Sequence, residues 1–181
     1  HSCIDPIVIA SHVVIGIQEI ISREINPLNP ALITVGTIHA GTATNIIPGK
    51  AEITGVIRCM NMTDREYIKK RLKEVAEGIC KTFRGNAKVE IEDSYPCLIN
   101  DDNMVSVAKE AAIKILGEEN VLAQKNPKMG VESFAYFANE VPSVFYFLGC
   151  KKEENGVVYP AHNSKFDIDE DFLPLGVAIQ C

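Results

Sequence analysis

One stretch near the start of the chain limits the fold more than any other. Asp5 can cap a helix, Pro6 suits its first position, and aliphatic residues crowd positions 7–23. Polar residues keep to a narrow stripe: Ser11, His12, Gln18, Glu19, Ser22 and Arg23. A helix that is apolar over most of its circumference must bury two sides. We expect one side to lie on a sheet and the other to meet a second subunit.

The residues that follow supply such a sheet. Asn26-Pro27-Leu28-Asn29-Pro30 reads as a turn, residues 32–38 as a strand, and 41–49 as a connection. Residues 51–58 read as a second strand, with Ile53, Gly55 and Ile57 on one face. Thr63-Asp64-Arg65-Glu66 has the form of a capping box. Ile68, Leu72, Val75, Ala76, Ile79 and Phe83 then mark one face of a helix that Gly85 ends. Val89 and Ile91 alternate with Lys88, Glu90 and Glu92, which predicts a half-exposed strand over 87–93. The order is therefore α-β-β-α-β. A ferredoxin-like β-α-β-β-α-β module has one more strand, and it would precede His1. We therefore expect this chain to be part of something longer, with an open sheet position exposed to pairing.

A boundary is expected at Tyr95-Pro96. Beyond it, 101–116 reads as a helix closed by Gly117, with Met104, Ala108, Ala111, Ala112 and Ile115 on one face. Residues 129–137 read as a loop entering a short helix. The apolar run 143–148 predicts a strand buried on both faces of an α/β sheet. A polar loop follows at 160–167, then the acidic helix start Asp169-Glu170-Asp171.

Composition narrows the class. Hydrophobic residues are 46% and charged residues 23%, which excludes a disordered or fibrous chain. A net charge of -6, a pI near 5.3 and the lack of a basic stripe argue against nucleic acid and anionic membranes as partners. Apolar runs are expected to fall well short of the roughly 18 residues that cross a bilayer. The first residues show no basic segment followed by an apolar core. Six cysteines occur with no CxxC pair. They read as reduced, mostly buried thiols of a cytoplasmic protein.

Few residues offer chemistry. His1, His12, His39 and His162 form no HxH or HxxxH pair, so spacing alone assembles no metal site. His12 reads as a polar position on the first helix. His39 ends a strand beside a Gly/Thr/Asn loop and reads either as a turn residue or as part of a pocket. His162 lies in a polar loop after the buried strand, where α/β folds place their sites. Arg58 ends its strand. Its guanidinium can hold a carboxylate by two hydrogen bonds or make a surface ion pair. Asn45 can shape a turn or donate its amide to a developing oxyanion.

These residues together resemble a family. His1-x-x-x-Asp5-Pro6 before an aliphatic helix resembles a "PHxxxDP" lid-helix start. The segment from Thr34 through His39-Ala40-Gly41 to Asn45-Ile46-Ile47-Pro48 resembles "GxxxGGxxxNVIP", and Arg58 follows Asn45 by thirteen residues. Met129-Gly130-Val131-Glu132-Ser133-Phe134 resembles "MGSEDF", and His162-Asn163-Ser164-Lys165-Phe166-Asp167 resembles "HxPxFD". The set is similar to the zinc-dependent amidohydrolases and exopeptidases that include hippurate hydrolases, N-acyl-amino-acid deacylases and auxin-conjugate hydrolases.

The resemblance implies an α/β protein with an α+β lid. Residues 1–95 would be a ferredoxin-like lid and dimerisation domain lacking its first strand. Residues 96–181 would be the C-terminal part of the catalytic domain. The intact site would hold two divalent metals, zinc or manganese, with His162 as one ligand. Asn45 would polarise the scissile carbonyl across a homodimer formed through the lid. Arg58 would hold the substrate's carboxylate, His39 would line the same pocket, and Glu132 would support the metal cleft. The substrate would be a small N-acyl amino acid or peptide-like amide. The family's other metal ligands and its general-base Glu belong upstream of His1, so the chain alone is expected to be inactive. Val131, Ser133, Ala40 and Ser164 replace family residues, and the lid histidine of the "GGHAA" type is missing. The alternative is a non-catalytic dimerisation or binding module.

Overall fold

The Asp5 carboxylate accepts the Ile7 amide at 2.9 Å and so starts helix α1 (Pro6–Glu19). In this computed structural model the described residues are 1–153 and 158–181. They form two units. The first is His1–Cys97 with Met129–Val131, and the second is Leu98–Lys128 with Glu132–Cys181.

In the first unit α1 runs into a single π-helical turn, Ile20–Glu24. The combined helix Pro6–Glu24 spans 19 residues, with a mean hydropathy of 1.3 in its most apolar window. This corrects the expectation that no apolar stretch approaches bilayer length. The helix serves here as a core element, because Ile9, Ala10, Ile17 and Ile20 are buried within the unit. The turn at Asn26 closes as its side chain accepts the Leu28 amide. Strand β1 (Ala31–Ala40) then pairs antiparallel with β2 (Ala51–Cys59).

Helix α2 is Met62–Thr82. Its cap is Asn61, whose Oδ1 accepts the Thr63 and Asp64 amides at 2.8 and 3.1 Å. The expected Thr63 capping box is therefore displaced by two residues, and Glu66 instead bonds Lys69. At the far end the left-handed residue is Arg84 (φ 64°), not Gly85. The Gly85 amide closes the turn on the Cys80 carbonyl at 2.8 Å.

The core gathers Ile17, Ile20, Ile25, Ile33 and Ile68, with Val35, Ile57, Leu72 and Val75 packed against it. Helices α1 and α2 both pack on the hairpin. Glu24, in the π turn, receives Arg71 Nε at 2.8 Å and the Tyr67 hydroxyl at 2.9 Å, which ties the end of α1 to α2.

The strand expected over 87–93 does not form a ladder. Residues 86–100 carry no helix or strand, although Ala87 and Val89 are half-buried between exposed neighbours. The alternation survives without a partner strand to bond. Arg65 and Lys69 hold the segment to α2 through Asp93, at 3.0 and 2.9 Å.

The second unit holds α3 (Asp102–Leu116), capped by Asp101 and ended at Gly117, α4 (Phe134–Glu140) and α5 (Leu173–Gln180). The strand expected over 143–148 likewise has no ladder partner among the described residues. Asn100 stands in for a neighbouring strand, since its side chain bonds both the Phe145 amide and carbonyl, at 2.8 and 2.9 Å.

Candidate functional site

The hairpin presents one face to its helices and leaves the other uncovered by any described element of the first unit. On that bare face Leu32 stands opposite Arg58, Thr34 opposite Val56, Thr37 opposite Thr54, and His39 opposite Glu52. Ile33, Val35, Ile53, Gly55 and Ile57 take the other face. A bulge between Val35 and Thr37 makes this possible. It inserts Gly36 as an extra residue, and a one-residue shift moves every later side chain to the opposite face. Without it His39 would point toward the helices. The Thr37 and Thr54 hydroxyls bond each other and fix the register just beyond the bulge.

Gly55 lies opposite the start of that bulge. A Cβ there would collide with the Thr34 carbonyl, so the close approach of β2 to β1 needs glycine.

Arg58 is exposed near the end of β2. Its Nη1 donates to the Met129 carbonyl at 2.6 Å. This places the 129–131 segment of the "MGVESF" motif on the strand end that carries Arg58. No residue-type pattern signals that contact, because the acceptor is backbone. The Nε–Nη2 edge, which takes carboxylates side-on, has no hydrogen-bond acceptor among the described residues.

Within one chain His39 and Arg58 share a face but stand far apart along it. His39 pairs with Glu52. The six residue-to-residue steps from Glu52 to Arg58 cover roughly 20 Å of strand. Asn45 lies beyond the His39 end, in the exposed loop between the strands, where Ile46 donates to the Ala43 carbonyl at 3.4 Å. That loop returns toward the start of α1, since Gly41 faces both Pro48 and the Ile7 side chain. Arg58, in contrast, neighbours the turn that follows α1's far end, where Met60 donates to Pro30.

Two candidates lie in the second unit. Glu132 is exposed, and its carbonyl accepts the Ala135 amide at the start of α4. His162 is exposed, in a segment followed by the Lys151–Ile168 bridge and by an Asp169-to-Cys150 hydrogen bond of 3.2 Å. It adopts φ 69°, a left-handed conformation uncommon for a non-glycine residue. Asn163 organises the turn around it, bonding the Pro160 carbonyl through its amide and the Lys165 amide through its side chain. Asp167 pairs with Lys152, whose ammonium holds this carboxyl below its ordinary value, helped by the Ile168 amide.

A metal needs several such donors. Among the described residues no group of three or more His, Cys, Asp or Glu side chains is placed to hold one. His162 is an accessible imidazole on an ordered turn and fits as a single ligand. The remaining histidine of interest, His12, stacks on Phe83 with ring centroids 4.7 Å apart, a packing role on α1. Cysteine burial also differs from expectation. Only Cys80 is buried, Cys59, Cys97 and Cys150 are half-buried, and Cys3 and Cys181 are exposed, all six as free thiols.

Comparison with known proteins covers almost the whole chain. Residues 6–181 match the model of peptidase family M20/M25/M40. Thermostable carboxypeptidase 2 of Saccharolobus solfataricus is 36% identical over 177 residues, 97% of this chain and 44% of that protein. An IAA-amino acid hydrolase (ILR1-like 2) of Arabidopsis thaliana is 34% identical over 97% of this chain and 40% of its own length. The crystal structure of a dinuclear metal-binding peptidase from Bacillus subtilis superposes with a TM-score of 0.77 at 28% identity, covering 98% of this chain and 44% of that one. The chain thus spans less than half the length of these relatives.

Proposed function

Because this chain belongs to peptidase family M20/M25/M40, we propose that it is the lid and C-terminal catalytic portion of a metal-dependent hydrolase that cleaves the amide bond of N-acyl amino acids or similar small amides. The family match across residues 6–181, at under half the length of the relatives, carries this reading. Two segments with strand sequences but no ladder partners among the described residues, 87–93 and 143–148, support it. In this reading their partner strands belong to the upstream half. The protein is cytoplasmic, in keeping with six free thiols, and engages neither nucleic acid nor membrane.

Each residue then has a role set by its place. Arg58 holds the substrate carboxylate through its Nε–Nη2 edge while Met129 keeps Nη1 and so orients the guanidinium. Asn45 donates its amide to the scissile carbonyl oxygen as charge develops there. The two groups of an N-acyl amino acid that these residues recognise are three bonds apart, about 4 Å at most. Arg58 and the loop of Asn45 lie toward opposite ends of one hairpin. One substrate is therefore best served by Arg58 of one chain and Asn45 of a second. The bare outward side of α1, with Ile7, Val8 and Ile15 exposed, is the surface we assign to that pairing.

His162 contributes one ligand to a two-metal site whose other ligands lie upstream, and Glu132 stands near that cleft in support. The divalent metals, zinc or manganese, supply Lewis acidity for attack of water on the amide. The described residues of this chain hold too few donors for the site, and in this reading the chain alone does not turn over substrate.

The test uses the longer hydrolase that contains this chain. Arg58→Ala raises KM for N-acetyl amino acids by the equivalent of about 1–3 kcal/mol and leaves their methyl esters little changed. An equal loss on both substrates refutes the carboxylate role. Mixing Arg58→Ala with Asn45→Ala protein restores about a quarter of wild-type activity, because half the dimers are mixed and each has one intact site. No recovery on mixing refutes the shared site.

A further inference from the structure

We propose that Cys59 and Cys97 are a reversible disulfide site that fastens the end of the first unit to the end of β2. Cys59 is the last residue of β2, directly after Arg58, and Cys97 is the last residue of the first unit's main segment. The Cys97 thiol donates to the Cys59 carbonyl oxygen at 2.8 Å, and the Cys59 thiol donates to the Asn61 carbonyl at 3.2 Å. A cysteine sulfur stays within about 5 Å of its own carbonyl oxygen. The two sulfurs therefore lie within about 8 Å, and both side chains are half-buried, with room for χ1 rotation to bring them nearer.

Burial pushes the Cys97 thiol up, and the neighbouring Cys59 pushes it the same way. Cys3 and Cys181, in contrast, lie at the exposed termini.

The oxidant is a low-molecular-weight disulfide such as oxidised glutathione. One protein thiolate attacks it and releases the first small thiol. The other protein thiolate then attacks the mixed disulfide and releases the second. Two protein thiols are oxidised to one disulfide, and one small disulfide is reduced to two thiols. The elevated Cys97 thiol makes the exchange slow at neutral pH and faster as pH rises. The bond closes a loop that contains α2 and the unladdered 86–95 segment, and it pins the strand end that carries Arg58.

The experiment treats the folded 181-residue chain with oxidised glutathione at mildly alkaline pH, alkylates the remaining thiols and maps peptides by mass spectrometry. The expected result is one dominant linked peptide joining Cys59 to Cys97, reversed by reductant. It raises the thermal midpoint by about 10 °C. The Cys97→Ala variant shows no such rise. Recovery of Cys59 and Cys97 separately alkylated, separately glutathionylated, or linked only in the presence of urea overturns the proposal. Should Cys97→Ala fail to fold, the wild-type map alone decides.

Discussion

The two units of this chain treat apolar sequence in opposite ways. In the first, nine hydrophobic residues are buried, and Ile20 and Ile68 are sealed completely. In the second, only Ala135 and Ile179 reach that state among the described residues, while Phe137 is 65% exposed, Phe147 60% and Leu122 88%. The second unit is no more polar. Its 143–148 run is as apolar as α1. The difference is whether the complementary surface lies in the same unit. The first unit folds two helices over one face of a hairpin. The second has helices and an aromatic run, Phe134, Phe145 and Phe147 in contact, but among the described residues no ladder for the run to join.

This contrast can be broken by core truncation, which has the largest expected effect. Ile20→Ala and Ile68→Ala each remove a side chain with no solvent exposure and should cost about 2–5 kcal/mol. Phe147→Ala removes a larger side chain that is mostly in water, and should cost under about 1 kcal/mol. Urea denaturation followed by circular dichroism reads both. Similar losses at Ile20 and Phe147 would show that the second unit has a core of equal weight. Gly55→Ala comes next. It sets a methyl group against the Thr34 backbone, which cannot swing away, and should cost roughly 1–3 kcal/mol.

The same contrast explains what could be read from residue order. The α1 helix, the hairpin and α2 were legible because local patterning and unit-level packing agree there. Ile17 and Ile20 recur at helical spacing and meet Ile33 and Ile68 in one cluster. The segments 87–93 and 143–148 carry strand patterns, yet a ladder needs a neighbour, and pattern alone does not provide one. The Thr63 box lost to Asn61 because an Asn side chain two residues earlier reaches two amides at once. Among site residues, the Arg58 position at a strand end was legible from its place in the run. The face that His39 shares with Arg58 was not, since the Gly36 bulge decides which face His39 joins. The left-handed turn at His162 has no residue-type signature, as left-handed positions favour glycine and asparagine.

Acid separates the units more gently. The Arg71 guanidinium holds the Glu24 carboxyl below its ordinary value of 4.5, outweighing burial, with the Tyr67 hydroxyl adding to it. A lowered carboxyl contributes stability that is fully present above its unfolded value and lost as pH falls through the folded one. The first unit should therefore lose stability as pH drops below about 4.5. Arg71→Met should flatten that loss. Asp167 in the second unit is also lowered, by Lys152, but its side chain is 62% exposed and salt screens the pair. Urea midpoints at neutral and acidic pH, with and without added salt, check this. A salt-insensitive acid loss that survives Arg71→Met would remove Glu24 from the explanation.

The smallest effects sharpen the comparison because they should not differ between units. Helix caps are local and do not depend on what covers the helix. Asn61 accepts two amides at the start of α2, and Asp101 accepts the Met104 amide at the start of α3 at 3.0 Å. Asn61→Ala and Asp101→Ala should each cost about 1 kcal/mol, and Thr63→Ala distinctly less, because Thr63 is not the cap. If Asp101→Ala is silent while Asn61→Ala is costly, α3 is not held folded in this chain, and the second unit's weakness extends from its packing to its helices. If both cost the same, the helices of the two units are equally well formed, and the difference between them lies wholly in burial.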